Sequence, residues 1–215
     1  MKIDGIIFDL DGTLWDSTQV VSDSWGLTLR QSFGADHWPD RDAVRSIMGM
    51  TAAEIAAALF SEYGERAEEI CTACIHGEND YIAEHCGEIY PGVEEMLRAL
   101  SEHFPLFIVS NCLDGYIQCF LKASGFEGFI RDFESGRTGL SKAGNIQLIC
   151  RRNALENPVY VGDTVMDEKS AADAGCPFIH VTYGFGTASS PAGSADTPYE
   201  LIQLIFDMER NGYDV

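Results

Sequence analysis

The sequence is short of positive charge. Its 215 residues include 14 Lys and Arg against 34 Asp and Glu, which gives a formal net charge of −20 at pH 7. A field of this sign repels nucleic-acid phosphates and anionic membrane surfaces, so we expect neither as a partner. A small phosphorylated metabolite is still compatible with it, because a bound divalent cation reverses the sign locally.

Targeting and membrane-spanning patterns are missing as well. No basic segment precedes an apolar run at the amino terminus, and no uncharged apolar stretch is long enough to cross a bilayer. The seven cysteines are an odd number without the spacing of a disulfide framework, which favours a reducing compartment. We therefore expect a cytoplasmic protein, with enough apolar residues for one core and a small insertion.

A short apolar run near the amino terminus ends in two carboxylates. Residues 3–8 have the β-branched and aromatic composition of a buried strand, and Asp9 and Asp11 follow it. In an extended chain these two side chains point to the same side, and Gly12 then allows a sharp turn. Two like charges this close either share a proton or hold a cation. Ligands bind at the carboxyl ends of strands in open α/β sheets, so this is a candidate site.

The next segment, residues 16–90, has helical rather than strand patterns. Ser17, Asp40 and Thr51 are each placed to cap a helix, and Thr51 with Glu54 has the spacing of a capping box. Another helix is expected from about residue 65 to 85. An all-helical block between two α/β segments predicts an inserted cap domain at residues 16–90, with hinges at residues 14–17 and 90–92.

After residue 91 helices and strands alternate. Val93, Met96, Leu97 and Leu100 form one apolar helix face, and strands are expected at residues 105–110, 128–133, 159–161 and 178–181. Residues 183–196 are rich in Gly, Ser and Ala, which predicts a loop. The alternation predicts a core domain of residues 1–15 and 91–215, built as a doubly wound, Rossmann-like parallel α/β sheet.

Polar residues follow the later strands at the same predicted edge. Ser110 and Asn111 end the second strand, Lys142 opens a helix, and the segment GDTVMD at residues 162–167 follows another strand. The D-x-D-G-T pattern at residues 9–13 could by itself be an acidic turn or part of a calcium loop. The calcium reading is weak, because the third acidic position and the terminal Glu of such a loop are missing.

Together these segments resemble the four motifs of the haloacid dehalogenase superfamily of phosphohydrolases. The helical insertion and the YPGV segment at residues 90–93 resemble the subfamily with a helical cap after the first motif. The YGFG segment at residues 183–186 is similar to a loop of phosphoglycolate-phosphatase-like members. The resemblance implies a magnesium-dependent phosphatase that hydrolyses a small phosphate monoester through an aspartyl-phosphate.

The resemblance also implies the catalytic and metal-binding roles. Asp9 would be the nucleophile, and Asp11 would be the general acid and then the general base. Mg²⁺ would be held by the Asp9 carboxylate, the main-chain carbonyl of Asp11 and Asp163. Asp167 would hold a metal-bound water or orient the other ligands. Lys142 would offset charge and hold Asp9, although a lone Lys at a helix start is usually solvated and Arg137 lies in the same loop.

The remaining implied roles concern the substrate. Ser110 and Asn111, with Thr13 of the first motif, would bind it at the phosphoryl group. In capped relatives the turn between the early cap helices dips towards the site and selects substrate, which implies this role for Gly49 and Met50; a simple helix-capping turn is the alternative. The turn carries no cation, so we expect a small or fairly apolar leaving group.

Two other functions remain open at this stage. A phosphomutase similar to β-phosphoglucomutase would use the same core residues but return the phosphoryl group to a sugar. A catalytically silent binding protein on the same fold is the second alternative. Cys71 and Cys74 form a C-x-x-C in the cap, which could bind a metal or act in redox chemistry but is more often part of a core.

Overall fold

The computed structural model describes residues 2–211. Its strands are β1 (Gly5–Phe8), β2 (Trp15–Asp16), β3 (Glu88–Ile89), β4 (Leu106–Val109), β5 (Ile130–Glu134), β6 (Pro158–Gly162), β7 (Phe178–Val181) and β8 (Gly193–Ala195). Its α-helices are α1 (Thr18–Phe33), α2 (Arg41–Ser46), α3 (Ala52–Leu59), α4 (Ala67–Glu84), α5 (Val93–Ser101), α6 (Tyr116–Ser124), α7 (Lys142–Asn153), α8 (Val165–Ala174) and α9 (Pro198–Asn211). Short 3-10 turns occupy Ser61–Arg66 and Gly136–Thr138.

The main sheet has six parallel strands in the order β5-β4-β1-β6-β7-β8. β1 lies in the middle, where Phe8 pairs with Ile108 of β4 on one side and with Val161 of β6 on the other. Parallel neighbours need crossover connections, which helices supply everywhere except between β7 and β8, where residues 182–192 form no helix. The predicted doubly wound α/β sheet is confirmed.

Alternate residues of β1 point to opposite faces of the sheet, and each face is covered. Ile6 and Phe8 belong to the larger core cluster, which includes residues from α5, α6 and α9, whereas Ile7 belongs to a second cluster with residues of α7 and α8. Burial on both faces explains why the strand is a continuous apolar run. The predicted apolar face of α5 is confirmed, because Val93 and Leu97 are among its fully buried residues.

Helices α1 to α4 form the predicted helical segment. The capping box of Thr51 and Glu54 is present at the start of α3, and Asp40 accepts a hydrogen bond of 2.9 Å from the N–H of Ala43 at the start of α2. α4 packs against α1 and α3, and it also contacts α6 beside the main sheet. Cys71 and Cys74 are buried in the larger core cluster.

The two ends of the helical segment are joined by a small antiparallel ribbon. Trp15 of β2 pairs with Ile89 of β3, and Asp16 pairs with Glu88. The ribbon lies at the two predicted hinges, so both connections between the sheet and the helices are held together by backbone pairing. The division into a core domain and a cap domain of residues 16–90 stays a prediction.

The prediction of a loop at residues 183–196 was wrong in part. Gly193–Ala195 forms β8, which pairs in parallel with β7, and Ile179 lies opposite Gly193. The three residues carry no apolar alternation: only Ala195 is buried in the core, and backbone pairing with β7 defines this edge strand. Within residues 2–211, no helix combines the length and the apolarity that a bilayer crossing requires.

Candidate active site

Three neighbouring strands bring polar side chains to one edge of the sheet. Asp9 follows β1, Ser110 follows β4, and Asp163 follows β6. Because β1 lies between β4 and β6 and all three run in parallel, these residues meet at the same carboxyl edge. All three are buried. This edge is where the sequence predicts the site.

Lys142 contacts two of the carboxylates. It is the first residue of α7, after Ser141, whose hydroxyl caps the helix. Its Nζ lies 2.8 Å from Asp9 Oδ1 and 2.5 Å from Asp167 Oδ1. Burial by itself lowers the pKa of Lys142, but the Asp167 and Asp9 carboxylates outweigh burial and raise this pKa well above its ordinary value. Lys142 is therefore a fixed positive charge in the site.

Arg137, the other cation near Lys142 in the sequence, pairs with Glu134 and not with Asp9. Arg137 Nη2 lies 2.9 Å from Glu134 Oε1, and Arg152 Nη1 lies at the same distance from that oxygen. The pKa of Glu134 is lowered although its burial opposes this, because both guanidinium groups donate hydrogen bonds to it. Between Lys142 and Arg137, the lysine is the residue that faces Asp9.

A cluster of three carboxylates has the composition of a divalent-metal site. Asp9, Asp163 and Asp167 each present an oxygen within 4.8 Å of the others, and within residues 2–211 no other such group of His, Cys, Asp or Glu is found. Oδ1 of Asp163 is buried without a hydrogen-bond partner, and Oδ1 of Asp9 has only its ion pair with Lys142. Burial raises the pKa of Asp9 well above its ordinary value and that of Asp163 to about 7. Buried carboxylates with unpartnered oxygens and raised pKa values fit a hard divalent cation, because the cation would stabilise their ionised form.

The loop after β7 packs tightly on Asp163. The N–H of Phe185 donates a 2.7 Å hydrogen bond to Asp163 Oδ2. Gly12 has φ +81°, and a Cβ there would lie 2.3 Å from Asp163 Oδ2. A Cβ on Gly184 would lie 2.3 Å from the carbonyl oxygen of Gly12. Both positions need glycine, because backbone and carboxylate approach each other too closely for a side chain.

Asp167 is held by both of its oxygens. Oδ1 accepts from Lys142, and Oδ2 accepts from the Thr164 hydroxyl at 2.6 Å and from the Thr164 N–H at 3.1 Å. These contacts with Thr164 form a capping box at the start of α8. The arrangement fixes the orientation of Asp167 beside the other carboxylates, as its predicted supporting role requires.

The Asp11 carboxylate makes a separate set of contacts. Its Oδ1 accepts hydrogen bonds from Ser17 Oγ at 2.5 Å, Trp15 Nε1 at 2.9 Å and Tyr116 Oη at 3.0 Å. Burial raises the pKa of Asp11, although these three donors oppose the change. The expectation that Ser17 caps α1 by its side chain was wrong, because its hydroxyl donates to Asp11 instead. Trp15 and Tyr116 were not predicted: Trp15 is only four residues from Asp11, but no motif points to it, and Tyr116 is 105 residues away in the chain.

A cavity of about 650 Å³ opens above these groups, between the carboxyl edge of the sheet and α1 to α4. Asp9, Asp11, Lys142, Asp163 and Asp167 line it on the sheet side. The predicted substrate-binding residues that line the same cavity are Ser110, Asn111, Gly49 and Met50. Thr13 is different: it is fully buried, and its hydroxyl has no hydrogen-bond partner. Thr13 is not among the residues that line the cavity.

The wall that α1 to α4 contribute is mostly apolar. Its apolar side chains include Val21, Trp25, Ile47, Ile55 and Ile75. Glu78 of α4 is the one charged side chain that the described residues of this segment add to the lining. The sequence contained a signal for it, because Glu78 falls between Cys74 and Ile82 at helical spacing on the buried face of α4.

Arg45 connects α2 to the loop after β7. Its Nη2 donates to the carbonyl oxygen of Gly184 at 3.3 Å, and its guanidinium carbon lies 5.2 Å from the centre of the Phe185 ring. The helical segment therefore contacts the loop that packs on Asp163. Phe185 lines the cavity, whereas Arg45 and Gly184 do not, so Arg45 lies at the edge of the cavity.

Comparison with known proteins agrees with this geometry. The family model for haloacid dehalogenase-like hydrolases matches residues 6–181. A phosphoglycolate phosphatase of Synechococcus elongatus is 27% identical over 95% of this chain and 98% of its own length. A phosphoglycolate phosphatase of Rhodobacter capsulatus is 28% identical over 84% of both chains.

The fold is also similar to a solved structure. A haloacid dehalogenase-like hydrolase from Streptococcus pneumoniae superposes with a TM-score of 0.78 and 24% identity, covering 94% of this chain and 98% of its own. The matched family residues include β1, β4, β6 and the polar side chains at their ends. The chain belongs to the haloacid dehalogenase-like hydrolases, and it is a phosphoric monoester hydrolase.

Proposed function

We propose that this phosphatase is magnesium-dependent and hydrolyses a small phosphate monoester through an aspartyl-phosphate on Asp9. The observation that carries the proposal is the position of Asp9. Its carboxylate lies at the end of the central strand, paired with Lys142 and close to Asp163 and Asp167, and it lines the cavity. A nucleophile placed in this way is fixed in position and faces the space that a phosphate ester would enter.

In the first step, an oxygen of Asp9 forms a bond to phosphorus while the bond from phosphorus to the ester oxygen breaks. Asp11 gives its proton to the leaving oxygen. In the second step, water attacks phosphorus, Asp11 takes a proton from that water, and inorganic phosphate leaves while the Asp9 carboxylate is restored. The hydrogen bonds from Ser17, Trp15 and Tyr116 to one oxygen of Asp11 support this role, because they fix the carboxyl group.

Lys142 and the phosphate-binding residues would stabilise the transferred group. Lys142 supplies a buried positive charge next to Asp9. Ser110 and Asn111 line the cavity at the end of β4 and would bind phosphoryl oxygens. Phosphoryl transfer depends mainly on positioning and charge stabilisation, and these groups provide both. Thr13 is fully buried and does not line the cavity, so its proposed part is to support the first motif rather than to touch the substrate.

The metal ligands would be the Asp9 and Asp163 carboxylates and the main-chain carbonyl of Asp11. Asp167, already bonded to Lys142 and Thr164, would hold a water or keep the other ligands in place. When bound, Mg²⁺ supplies positive charge for the phosphoryl oxygens and lets Asp9 ionise in a buried site. The unpartnered oxygen of Asp163 and the raised pKa values of both carboxylates support this assignment.

The lining of the cavity favours a phosphorylated metabolite with a small leaving group as the substrate. Gly49 and Met50 lie in the turn between α2 and α3, and this turn borders the cavity opposite Met166 of α8. The curated relatives are named for phosphoglycolate, which makes that ester the reference compound for assays. We propose that the helices act as a lid that excludes bulk water during transfer.

The test is hydrolysis of p-nitrophenyl phosphate by the wild type and by Asp9→Asn. We expect the variant to lose at least about 10³-fold in kcat/KM, because the nucleophile is removed. Asp36→Asn is the matched control, since Asp36 is exposed and does not line the cavity. Retained turnover in Asp9→Asn, with circular dichroism showing a folded protein, would contradict the nucleophile assignment.

A further inference from the structure

Glu78 is a buried carboxyl group in the wall of the substrate cavity. It is 8% exposed and occupies a position on the buried face of α4 where its neighbours Cys74 and Ile82 are fully buried. Among residues 2–211 its one hydrogen-bond partner is the indole N–H of Trp25, which donates to Oε1. Glu78 lines the cavity, and no hydrogen bond among the described residues involves its second carboxyl oxygen.

Within the part of the chain that the structure describes, this carboxyl group has no positive partner. None of the ion pairs among the described residues includes Glu78, and the nearest charged influence on it is another acid, Asp11. Burial raises the pKa of Glu78 to about 8, with the Trp25 hydrogen bond opposing the change. Keeping an unpaired carboxyl group in such a place costs stability.

Packing alone does not require a glutamate at this position. A glutamine has nearly the same shape, and its side-chain oxygen would accept the same hydrogen bond from Trp25 without the cost of a buried charge. What the glutamate adds is the ability to carry a negative charge into the cavity. That ability is useful for a ligand that brings a positive charge with it.

The rest of the cavity lining also favours a positively charged ligand over a negatively charged one. Its two lysines are already paired, Lys142 with Asp9 and Asp167, and Lys169 with Asp173 at 2.5 Å. No arginine is among its lining residues in the described chain. A carboxylate on the leaving group would therefore find no unpaired cation among the described lining residues, and the wall formed by α1 to α4 would offer it Glu78 and mostly apolar side chains. An ammonium group would meet a carboxyl group that lacks a partner, next to the aromatic side chain of Trp25.

We infer that Glu78 selects substrates whose leaving group carries a protonated amine, so that the substrates are phosphate monoesters of amino alcohols. The methylene chain of such an alcohol would pack against the apolar wall. Its ammonium group would pair with the Glu78 carboxylate, which releases its proton to solvent as the amine binds, because a positive charge beside it favours the ionised form. The inference rests on the proposed function, because it concerns the alcohol that the Asp9 reaction releases. Glu78 acts on binding and specificity and takes no part in bond breaking.

The experiment compares three series of esters with matched chain lengths: ω-aminoalkyl, ω-hydroxyalkyl and ω-carboxyalkyl phosphates, the last beginning with phosphoglycolate. For wild-type protein with Mg²⁺, we expect the best amino ester to exceed its hydroxy and carboxy counterparts at least about 10-fold in kcat/KM. Glu78→Gln should lower the amino-to-hydroxy ratio about 10-fold to 100-fold, mainly through KM. Glu84→Gln is the matched control on the same helix, since Glu84 is exposed and outside the lining, and it should keep the wild-type ratio.

The outcomes separate the two proposals. If p-nitrophenyl phosphate is hydrolysed but the amino esters are not preferred, or if Glu78→Gln keeps the wild-type ratio, the inference about Glu78 is wrong and the proposed function stands. If no ester of any kind is hydrolysed, the proposed function fails and the inference fails with it. The wild-type selectivity is measured without a variant, so misfolding of Glu78→Gln does not remove the test.

Discussion

The ammonium group of Lys142 lies 2.8 Å from Oδ1 of Asp9, and both side chains are 9% exposed. Asp9 follows β1, the first strand of the main sheet. Lys142 opens α7, which comes after β5 in the chain. A buried ion pair between such distant parts of the chain exists because parallel strands place their carboxyl ends at one edge. The predictions below start from this contact and from the groups around it.

Replacing Lys142 with Met should weaken both catalysis and folding. The variant leaves two buried carboxylates without their cation, so we expect kcat to fall about 10²-fold to 10³-fold. Without added metal, the free energy of unfolding should fall by about 3 kcal/mol, as is usual when one partner of a buried ion pair is removed. Steady-state kinetics and urea unfolding measure the two effects. Lys122→Met, at an exposed position of α6, should change neither, and equal losses in both variants would contradict the assignment.

The role of Asp11 predicts a dependence on the leaving group. An alkoxide needs a proton to leave, whereas p-nitrophenolate does not, so Asp11→Asn should reduce kcat/KM for an alkyl phosphate at least about 10-fold more than for p-nitrophenyl phosphate. This ratio reports only the steps up to formation of the aspartyl-phosphate, so the later base role of Asp11 does not enter. Tyr116→Phe removes one of the hydrogen bonds to Asp11 and should give a smaller change in the same direction. Equal losses for the two esters would argue against proton donation by Asp11.

Magnesium should stabilise the folded protein through the three-carboxylate cluster. A ligand present at about 100 times its dissociation constant adds roughly 2.7 kcal/mol to the free energy of unfolding, which raises Tm measurably. We expect Mg²⁺ to raise the Tm of the wild type and of Asp36→Asn, and to have little effect on Asp163→Asn. Thermal unfolding across a magnesium titration measures this without any assay of activity. A full shift in Asp163→Asn would place the metal elsewhere.

Glu78 should make stability depend on pH. Its pKa is about 8 in the folded protein and 4.5 for the ordinary group, so between these values the unfolded chain releases a proton that the folded protein keeps. The free energy of unfolding of the wild type should therefore fall, relative to Glu78→Gln, as the pH rises from about 4.5 to 8, by an amount on the order of a few kcal/mol. Urea unfolding of both proteins at several pH values gives the difference. A difference that stays constant with pH would mean that Glu78 is not held in its neutral form.

Gly184 is predicted to be intolerant of even a methyl group. A Cβ there would lie 2.3 Å from the Gly12 carbonyl oxygen and 2.4 Å from Cβ of Asp163, so the loop would have to move away from the candidate metal site. We expect Gly184→Ala to cost about 1–3 kcal/mol of stability and to reduce the magnesium-induced rise in Tm. Gly128→Ala is the control, because nothing lies within 4 Å of a Cβ at that position. A wild-type response in Gly184→Ala would show that the loop does not support Asp163.

Sequence patterns correctly predicted several features that depend only on residues close together in the chain. The apolar run of β1 followed by Asp9 and Asp11, the spacing of Val93 and Leu97 on α5, and the capping box of Thr51 all appear in the structure as predicted. Each depends on residues within a few positions of one another. The parallel sheet also followed, because strands that alternate with helices have few other ways to pair.

The sequence did not reveal which side chains complete the site. β8 has no apolar pattern, so only its pairing with β7 makes it a strand. The contacts of Ser17 and Tyr116 with Asp11 join separate elements, and no local spacing encodes them. Glu78 was not predicted, although it is a charged residue on an apolar helix face, because its position in the cavity wall depends on how α4 packs beside α1 and α6.

The sequence by itself determined the order of elements, the buried central strand and the set of acidic and polar residues that follow the strands, because periodicity and turn chemistry act over a few residues. Only the tertiary structure decided which of those residues meet, which carboxyl oxygens lack partners and which charged side chains line the cavity. Those properties depend on distances between segments far apart in the chain, and packing of the whole fold sets these distances.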